Sequence, residues 1–331
     1  MPDALEIAFH RAARALVSER SHVLVAVSGG GDSVALLHLL HRFAARRHIT
    51  LTVAHLDHAL RRGSAADSRF VSGLAASLDL PIVAERRHVA ALRSKDESPE
   101  EAARRVRRAF LLQAAAATGA VAIATGHTLD DQAETILMRL ARGAGPSALG
   151  AMAPAGPGPF VKPLLGVERT ALRAWLEKKR FPFRDDPSNA SLAFDRNRVR
   201  RLVVPTLAKA VNPAAARHLV EAASRLREDA ACLDALARDR FEAMSTRRAE
   251  GLVVEASALA ALPHALAARV AHLALLVAGC DPRRISSRQV DAVVALATAA
   301  QGSSLDLPGR IGASRRSGLL EFRPCVSRGK S

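Results

Sequence analysis

Tyrosine is absent from this 331-residue sequence, tryptophan occurs once, and aromatic residues make up only 3% of it. The single tryptophan, Trp175, falls in a helical stretch over residues 168–180 and is expected in a core rather than as a platform for stacked bases. Cysteine is almost as scarce. Cys232, Cys280 and Cys325 form no Cys-x-x-Cys and no paired spacing, which argues against disulfides and zinc ribbons and for a reducing compartment. Long apolar runs are missing too: the most apolar late stretch, 256–280, is broken by Pro263, Arg269 and two histidines, and the N-terminus has no basic or apolar leader. A cytoplasmic protein with no membrane partner is expected. Acidic charge is in short supply, with 32 Asp and Glu against 48 Lys and Arg, a formal net charge of +16. Such a field attracts a polyanion, and a nucleic acid partner is expected, with compositional bias towards Arg and Ala as the plainer account.

The chain is organised around residues 23–33, Val-Leu-Val-Ala-Val-Ser-Gly-Gly-Gly-Asp-Ser. Five apolar residues read as a buried parallel strand, Gly29, Gly30 and Gly31 as a tight turn, and Asp32-Ser33 as the opening of an amphipathic helix. Glycines let backbone N–H groups approach an anion, Ser28 and Ser33 add hydroxyls, and the helix start adds partial positive charge, so the loop is a phosphate cradle. A carboxylate beside polyphosphate needs a cation between them, which makes Asp32 a candidate Mg²⁺ ligand. No Gly-Lys-Ser/Thr follows the glycines, so this is not a Walker A loop.

A second strand, residues 49–54, runs into His55-Leu-Asp-His58-Ala-Leu-Arg61, at the strand end where open α/β sheets bind ligands. Further on, Ser98-Pro99-Glu100-Glu101 starts a helix carrying Arg104, Arg105, Arg107 and Arg108, of which Arg104 or Arg107 should face phosphate. Residues 121–145 repeat the strand–turn–helix pattern through Gly126-His127-Thr128-Leu-Asp130-Asp131-Gln-Ala-Glu134. Three carboxylates crowd one helical turn there, and no Lys or Arg stands three or four places after any of them. Like-charge pairs at this spacing cost a few tenths of a kcal/mol when exposed and more in a cleft. Something cationic is expected to meet them: Mg²⁺, an arginine from elsewhere, or the amine of a substrate. Arg196, Arg198, Arg200 and Arg201 crowd a later stretch and are read as phosphate contacts.

The loop 28–33 after a strand resembles the PP-loop of the ATP-pyrophosphatase superfamily, whose members cleave ATP between the α and β phosphates. Together with His55-x-x-His58-x-Leu-Arg61, Glu101-Ala-Ala-Arg104-x-x-Arg107, Gly126-His127-x-x-Asp130-Asp131-Gln-Ala-Glu134, Arg142-Gly-x-Gly145, Lys162-Pro-Leu-Leu, Asp186-Pro-Ser-Asn189 and Arg196-Asn-Arg198-Val-Arg200, it resembles the blocks of the tRNA(Ile)-lysidine synthetase family. That family usually has an aromatic residue where this chain has Arg108, and often an arginine where it has Lys162. The resemblance implies ATP-dependent adenylation of C2 of the wobble cytidine in the CAU anticodon of tRNA(Ile), followed by joining of the ε-amino group of free L-lysine. It assigns ATP to Ser28, Gly29, Gly30, Gly31, Asp32 and Ser33, with Mg²⁺ at Asp32, lysine to Asp131 and Glu134, and the adenylated intermediate to Arg104. His55 and His127 are expected to join the ATP site, and Arg61, Arg196, Arg198 and Arg200 to contact tRNA.

The fold expected is an α/β, Rossmann-like parallel-sheet PP-loop domain over residues 1–212. A mostly α-helical tRNA-binding domain over 213–331 follows, decorated by a small hairpin built from 252–255 and 303–307. A homodimer is left open. Two other readings stand beside this one: a sulfur transferase of the same superfamily, which would need cysteines near the cleft, and a basic tRNA-binding module with a vestigial ATP site.

Overall fold

The computed structural model describes residues 3–58, 64–95, 97–185 and 191–324. Arg61, the block 186–189 and Cys325 lie outside the described residues. Two compact units are formed by residues 1–224 and 225–331. The division lies beyond the change of composition at Pro213, inside a long helix that runs from one unit into the other.

The first unit runs α1 (Ala4–Leu16), β1 (His22–Ala26), α2 (Gly31–Ala44), β2 (Thr50–Asp57), α3 (Ser64–Ser77), β3 (Ile82–Arg86), α4 (Pro99–Thr118), β4 (Ala122–Ala124), α5 (Leu129–Ala141), α6 (Pro146–Leu149), β5 (Phe160–Val161), α7 (Arg169–Lys179), α8 (Asp195–Arg198), α9 (Val204–Ala210) and the first residues of α10 (Ala215–Met244), most of which belongs to the second unit. All strand pairs in its sheet are parallel, in the order β3-β2-β1-β4-β5. Alternation along β1 divides the core. Val23, Val25 and Val27 pack with Phe9 of α1, Leu36 and Leu40 of α2, Val71 of α3 and Leu172 and Trp175 of α7, while Leu24 and Ala26 pack with Phe110 and Leu111 of α4. Each Val, Leu or Phe among them, fully buried, contributes about 1.5–3 kcal/mol. Trp175 is core, as its helix predicts, and its indole N–H donates to Glu6 Oε1 at 3.2 Å. Helix α4 starts where Ser98 and Glu101 exchange side-chain and backbone hydrogen bonds in a capping box, with Pro99 in the first turn.

In the second unit, β6 (Ser245–Arg248), β7 (Gly251–Glu255), α11 (Ala256–Ala260), α12 (His264–Val277), α13 (Ser287–Leu296), β8 (Ser304–Leu307), β9 (Ile311–Arg316) and β10 (Leu319–Pro324) follow α10. The strands form an antiparallel sheet, β6-β7-β10-β9-β8, against which α12 and α13 bury Val270, Leu275 and Val293. This sheet is larger than a decorating hairpin. Strands β7 and β8 match the expected apolar pieces, but β9 reads Ile-Gly-Ala-Ser-Arg-Arg, burying Ile311 and Ala313 behind small and charged neighbours that give no apolar run. No helix among the described residues is long and apolar enough to cross a membrane.

Candidate active site

The strand order reverses direction between β1 and β4, and open α/β sheets bind ligands at the carboxyl ends of strands at such a switch point. Two turns meet there, 28–33 after β1 and 126–128 after β4. Gly29 sits at φ +94°, a conformation that favours glycine. The Ser33 hydroxyl donates to the Gly30 carbonyl at 2.9 Å and accepts from the Ser28 N–H at 3.1 Å, so the loop is held from within. Gly30 caps α2 with no side-chain acceptor, leaving the helix start suited to an anion. The second turn touches the first: a Cβ on Gly126 would lie 3.1 Å from the Asp32 carbonyl oxygen and 3.2 Å from the Ser33 nitrogen.

Helix α5 brings the acidic turn to the same place. Thr128 and Asp131 form its capping box, the Asp131 Oδ2 accepting from the Thr128 N–H at 2.9 Å, and Gln132 anchors the helix on the Leu165 carbonyl at 2.9 Å. Three arginines answer the crowded carboxylates. Asp131 Oδ1 accepts from Arg169, Arg196 and Arg200 at 3.0, 3.0 and 3.2 Å. Glu134, whose side chain is 1% exposed, accepts from Arg200 Nε at 2.6 Å, Arg196 Nε at 2.8 Å and Arg169 Nη1 at 3.3 Å. Arg169 also donates through Nε to Asp32 Oδ2 at 3.0 Å, and its backbone N–H donates to Asp130 Oδ2 at 2.7 Å.

Burial would raise the Asp131 carboxyl, but Arg169 and Arg196 outweigh it and hold the group below the usual carboxylate range. For Asp32 the balance is opposite: burial wins over Arg169 and raises it. Arg169 itself is held more firmly protonated, its burial overcome by Asp131, Asp32 and Glu134.

Turns and arginines enclose a polar cavity of about 320 Å³, large enough for a polyphosphate. Ser28, Gly30, Gly31, Asp32 and Ser33 line it on one side, Gly126, His127 and Asp131 on another, and Arg107, Arg169, Arg173, Arg184, Arg196 and Arg200 supply cations. Burial, only partly offset by Asp131, holds the His127 imidazole down at about 4, and its Nδ1 lies 3.0 Å from the Thr125 hydroxyl. His55 is buried behind the loop, Nδ1 at 2.8 Å from the Val27 carbonyl and Nε2 without a partner among the described residues. On α4, Arg107 lines the cavity with no carboxylate in ion-pair range among the described residues, and burial together with Arg104 lowers its proton affinity. Arg104 is exposed and does not line it. Arg198 pairs with Asp195 and donates to the Leu192 carbonyl at 3.0 Å, outside the cavity.

Arg196 and Arg200, expected to face phosphate, are thus turned into the acidic cluster, four residues apart across the π-helical turn Val199–Val203. Arg169 belongs to no block of the sequence pattern, and only the requirement for a cation at the acidic turn pointed to a residue like it. Arg108 stacks over Phe160, 4.5 Å from the ring centroid, and Lys162 donates to the Ala153 carbonyl at 3.1 Å. No group of three or more His, Cys, Asp or Glu side chains among the described residues is arranged to hold a metal ion.

Residues 4–207 match the PP-loop domain family. The chain is 42% identical over 306 residues to tRNA(Ile)-lysidine synthase of Geobacter sulfurreducens, covering 91% of this chain and 64% of that protein's length. It is 38% identical over 305 residues to tRNA(Ile)-lysidine synthase of Leifsonia xyli, covering 91% of this chain and 90% of that one. Among solved structures, a U34-tRNA thiolase from Methanococcus maripaludis superposes with a TM-score of 0.59 at 18% identity, over 68% of this chain and 78% of that one, a likeness of fold. On its PP-loop match over residues 4–207 and its 38% identity to a relative of whose length it covers 90%, the chain belongs to the tRNA(Ile)-lysidine synthase family.

Proposed function

We propose that the protein is a cytoplasmic ligase that adenylates C2 of the wobble cytidine in the CAU anticodon of tRNA(Ile). It then joins the ε-amino group of free L-lysine at that carbon, giving lysidine, AMP and pyrophosphate. The observation that carries the reading is the shared cavity: the phosphate loop, which has no transfer lysine, and Asp131 of the acidic turn face the same 320 Å³.

In this reading residues 28–33 hold the triphosphate through backbone N–H groups and the Ser28 and Ser33 hydroxyls, with His127 beside the nucleotide and His55 backing the loop at the Val27 carbonyl. Asp32 fits Mg²⁺. One carboxylate at the mouth of a phosphate loop is the protein share that Mg²⁺ ordinarily takes, the rest of its shell being phosphate oxygen and water, so the lack of a three-ligand cluster is no obstacle. When bound there, the ion would neutralise charge on the departing pyrophosphate. Asp131 and Glu134 recognise the lysine side-chain ammonium, and a carboxylate accepts the proton that the amine must lose before it attacks C2 and expels AMP. Arg107 faces the adenylated cytidine from the cavity wall and Arg104 supports it from the outer face of α4. Arg61 and Arg198 contact tRNA phosphates, joined by Arg196 and Arg200 when the acidic turn takes up lysine.

The test is AMP formation from ATP with and without lysine and a CAU tRNA(Ile), with mass analysis of the wobble nucleoside. AMP release requiring both, with cytidine gaining lysine minus water, is expected. AMP formed without lysine dependence would move the search to another acceptor, and no AMP under any condition would favour a binding module.

A further inference from the structure

One guanidinium spans both halves of the cleft. Arg169 reaches Asp32 of the phosphate loop through Nε at 3.0 Å, and Asp131 and Glu134 of the acidic turn through Nη2 and Nη1 at 3.0 and 3.3 Å. Its side chain is 15% exposed, and it is anchored at the first residue of α7, whose backbone N–H is held by Asp130. Arg196 and Arg200 touch the acidic turn but have no contact with Asp32.

We propose that Arg169 is a positioning residue that couples nucleotide binding to amine binding, by standing in for the incoming cations at both carboxylate sites until they arrive. The inference rests on the assignment of Asp131 and Glu134 to the lysine ammonium. A cation accompanying the triphosphate competes with Nε for Asp32, and an ammonium competes with Nη1 and Nη2 for Asp131 and Glu134. Both displacements move the same rigid group out of the same place, so its cost falls on whichever ligand binds first and the second binds more tightly. Such coupling is reciprocal, and values of five- to about 150-fold are usual.

The experiment is titration calorimetry of L-lysine into the full chain, alone and saturated with Mg²⁺ and α,β-methylene-ATP. In the parent, lysine should bind about tenfold more tightly with the nucleotide present. Arg169→Gln should bind lysine more tightly than the parent in the absence of nucleotide and bring the ratio close to one; a merely structural lesion would weaken binding instead. Arg169→Lys, which keeps the charge but cannot span three carboxylates, should give an intermediate ratio and serves if the Gln variant does not fold. A parent ratio near one, or a parent-like ratio in either variant, overturns the proposal. Failure of the parent to bind lysine in both conditions overturns instead the assignment of the amine pocket beneath it.

Discussion

Glu134 is a carboxylate almost sealed from water, and its oxygens accept hydrogen bonds from the guanidinium groups of Arg169, Arg196 and Arg200. Glu134→Gln keeps the shape and removes the charge. In the proposed mechanism this should raise the KM for lysine on the order of tenfold, the worth of one charge-assisted hydrogen bond, with a smaller change in the KM for ATP. Steady-state kinetics over a lysine series check this; an unchanged lysine KM would place the amine elsewhere. Asp32→Ala should abolish pyrophosphate release while tRNA still binds in a filter assay, because the loop loses its cation ligand and no phosphate contact to RNA. The crowding of Asp130, Asp131 and Glu134 was legible in the sequence, since helical spacing alone puts them in one turn. Its solution was not: Arg169 and Arg200 stand 35 and 66 residues from Glu134, and nothing local to either says which carboxylate it meets.

Elements that carry their own start and stop signals were the most legible. The strand–turn–helix around Ser28 and the one around Gly126 follow from an apolar run, glycines and a cap, and those signals lie within a few residues of one another. The sheet of the second unit is of the other kind. Its pairing joins β7 to β10 across more than half of that unit, and the closest approach there is invisible in composition: at Gly251, φ +145°, an added Cβ would fall 2.0 Å from the Phe322 carbonyl oxygen. Gly251→Ala should therefore destabilise this sheet by more than about 2 kcal/mol, read as a lowered denaturation midpoint, while nucleotide binding in residues 1–224 persists. A midpoint within error of the parent would contradict the strand geometry.

At the scale of the whole molecule two forces depend on solution conditions. The excess of sixteen positive charges should make tRNA affinity fall steeply with salt. If Arg198 meets a phosphate, Arg198→Ala should lower the slope of log K against log salt by roughly 0.7–0.9 and leave the lysine KM alone. Acid acts on stability. His38, stacked on Phe181 with ring centroids 3.7 Å apart, is held neutral by burial, at about 4. The unfolded chain, titrating near 6.5, binds that proton first, so stability is intact above pH 6.5 and falls as pH drops towards 4, by about 3 kcal/mol at the limit. His38→Gln should flatten this part of a stability–pH curve, measured by urea denaturation, leaving the share due to His127.

The scarcity of aromatic residues ends as a practical gift to the experimenter. With no tyrosine in the chain and Trp175 its only indole, indole emission comes from α7 alone. That helix begins at Arg169, and its indole is tied to Glu6 in the core. The segment that starts with the bridging guanidinium thus carries a built-in optical reporter, and a shift in its emission on adding nucleotide or lysine can be followed in real time without any label.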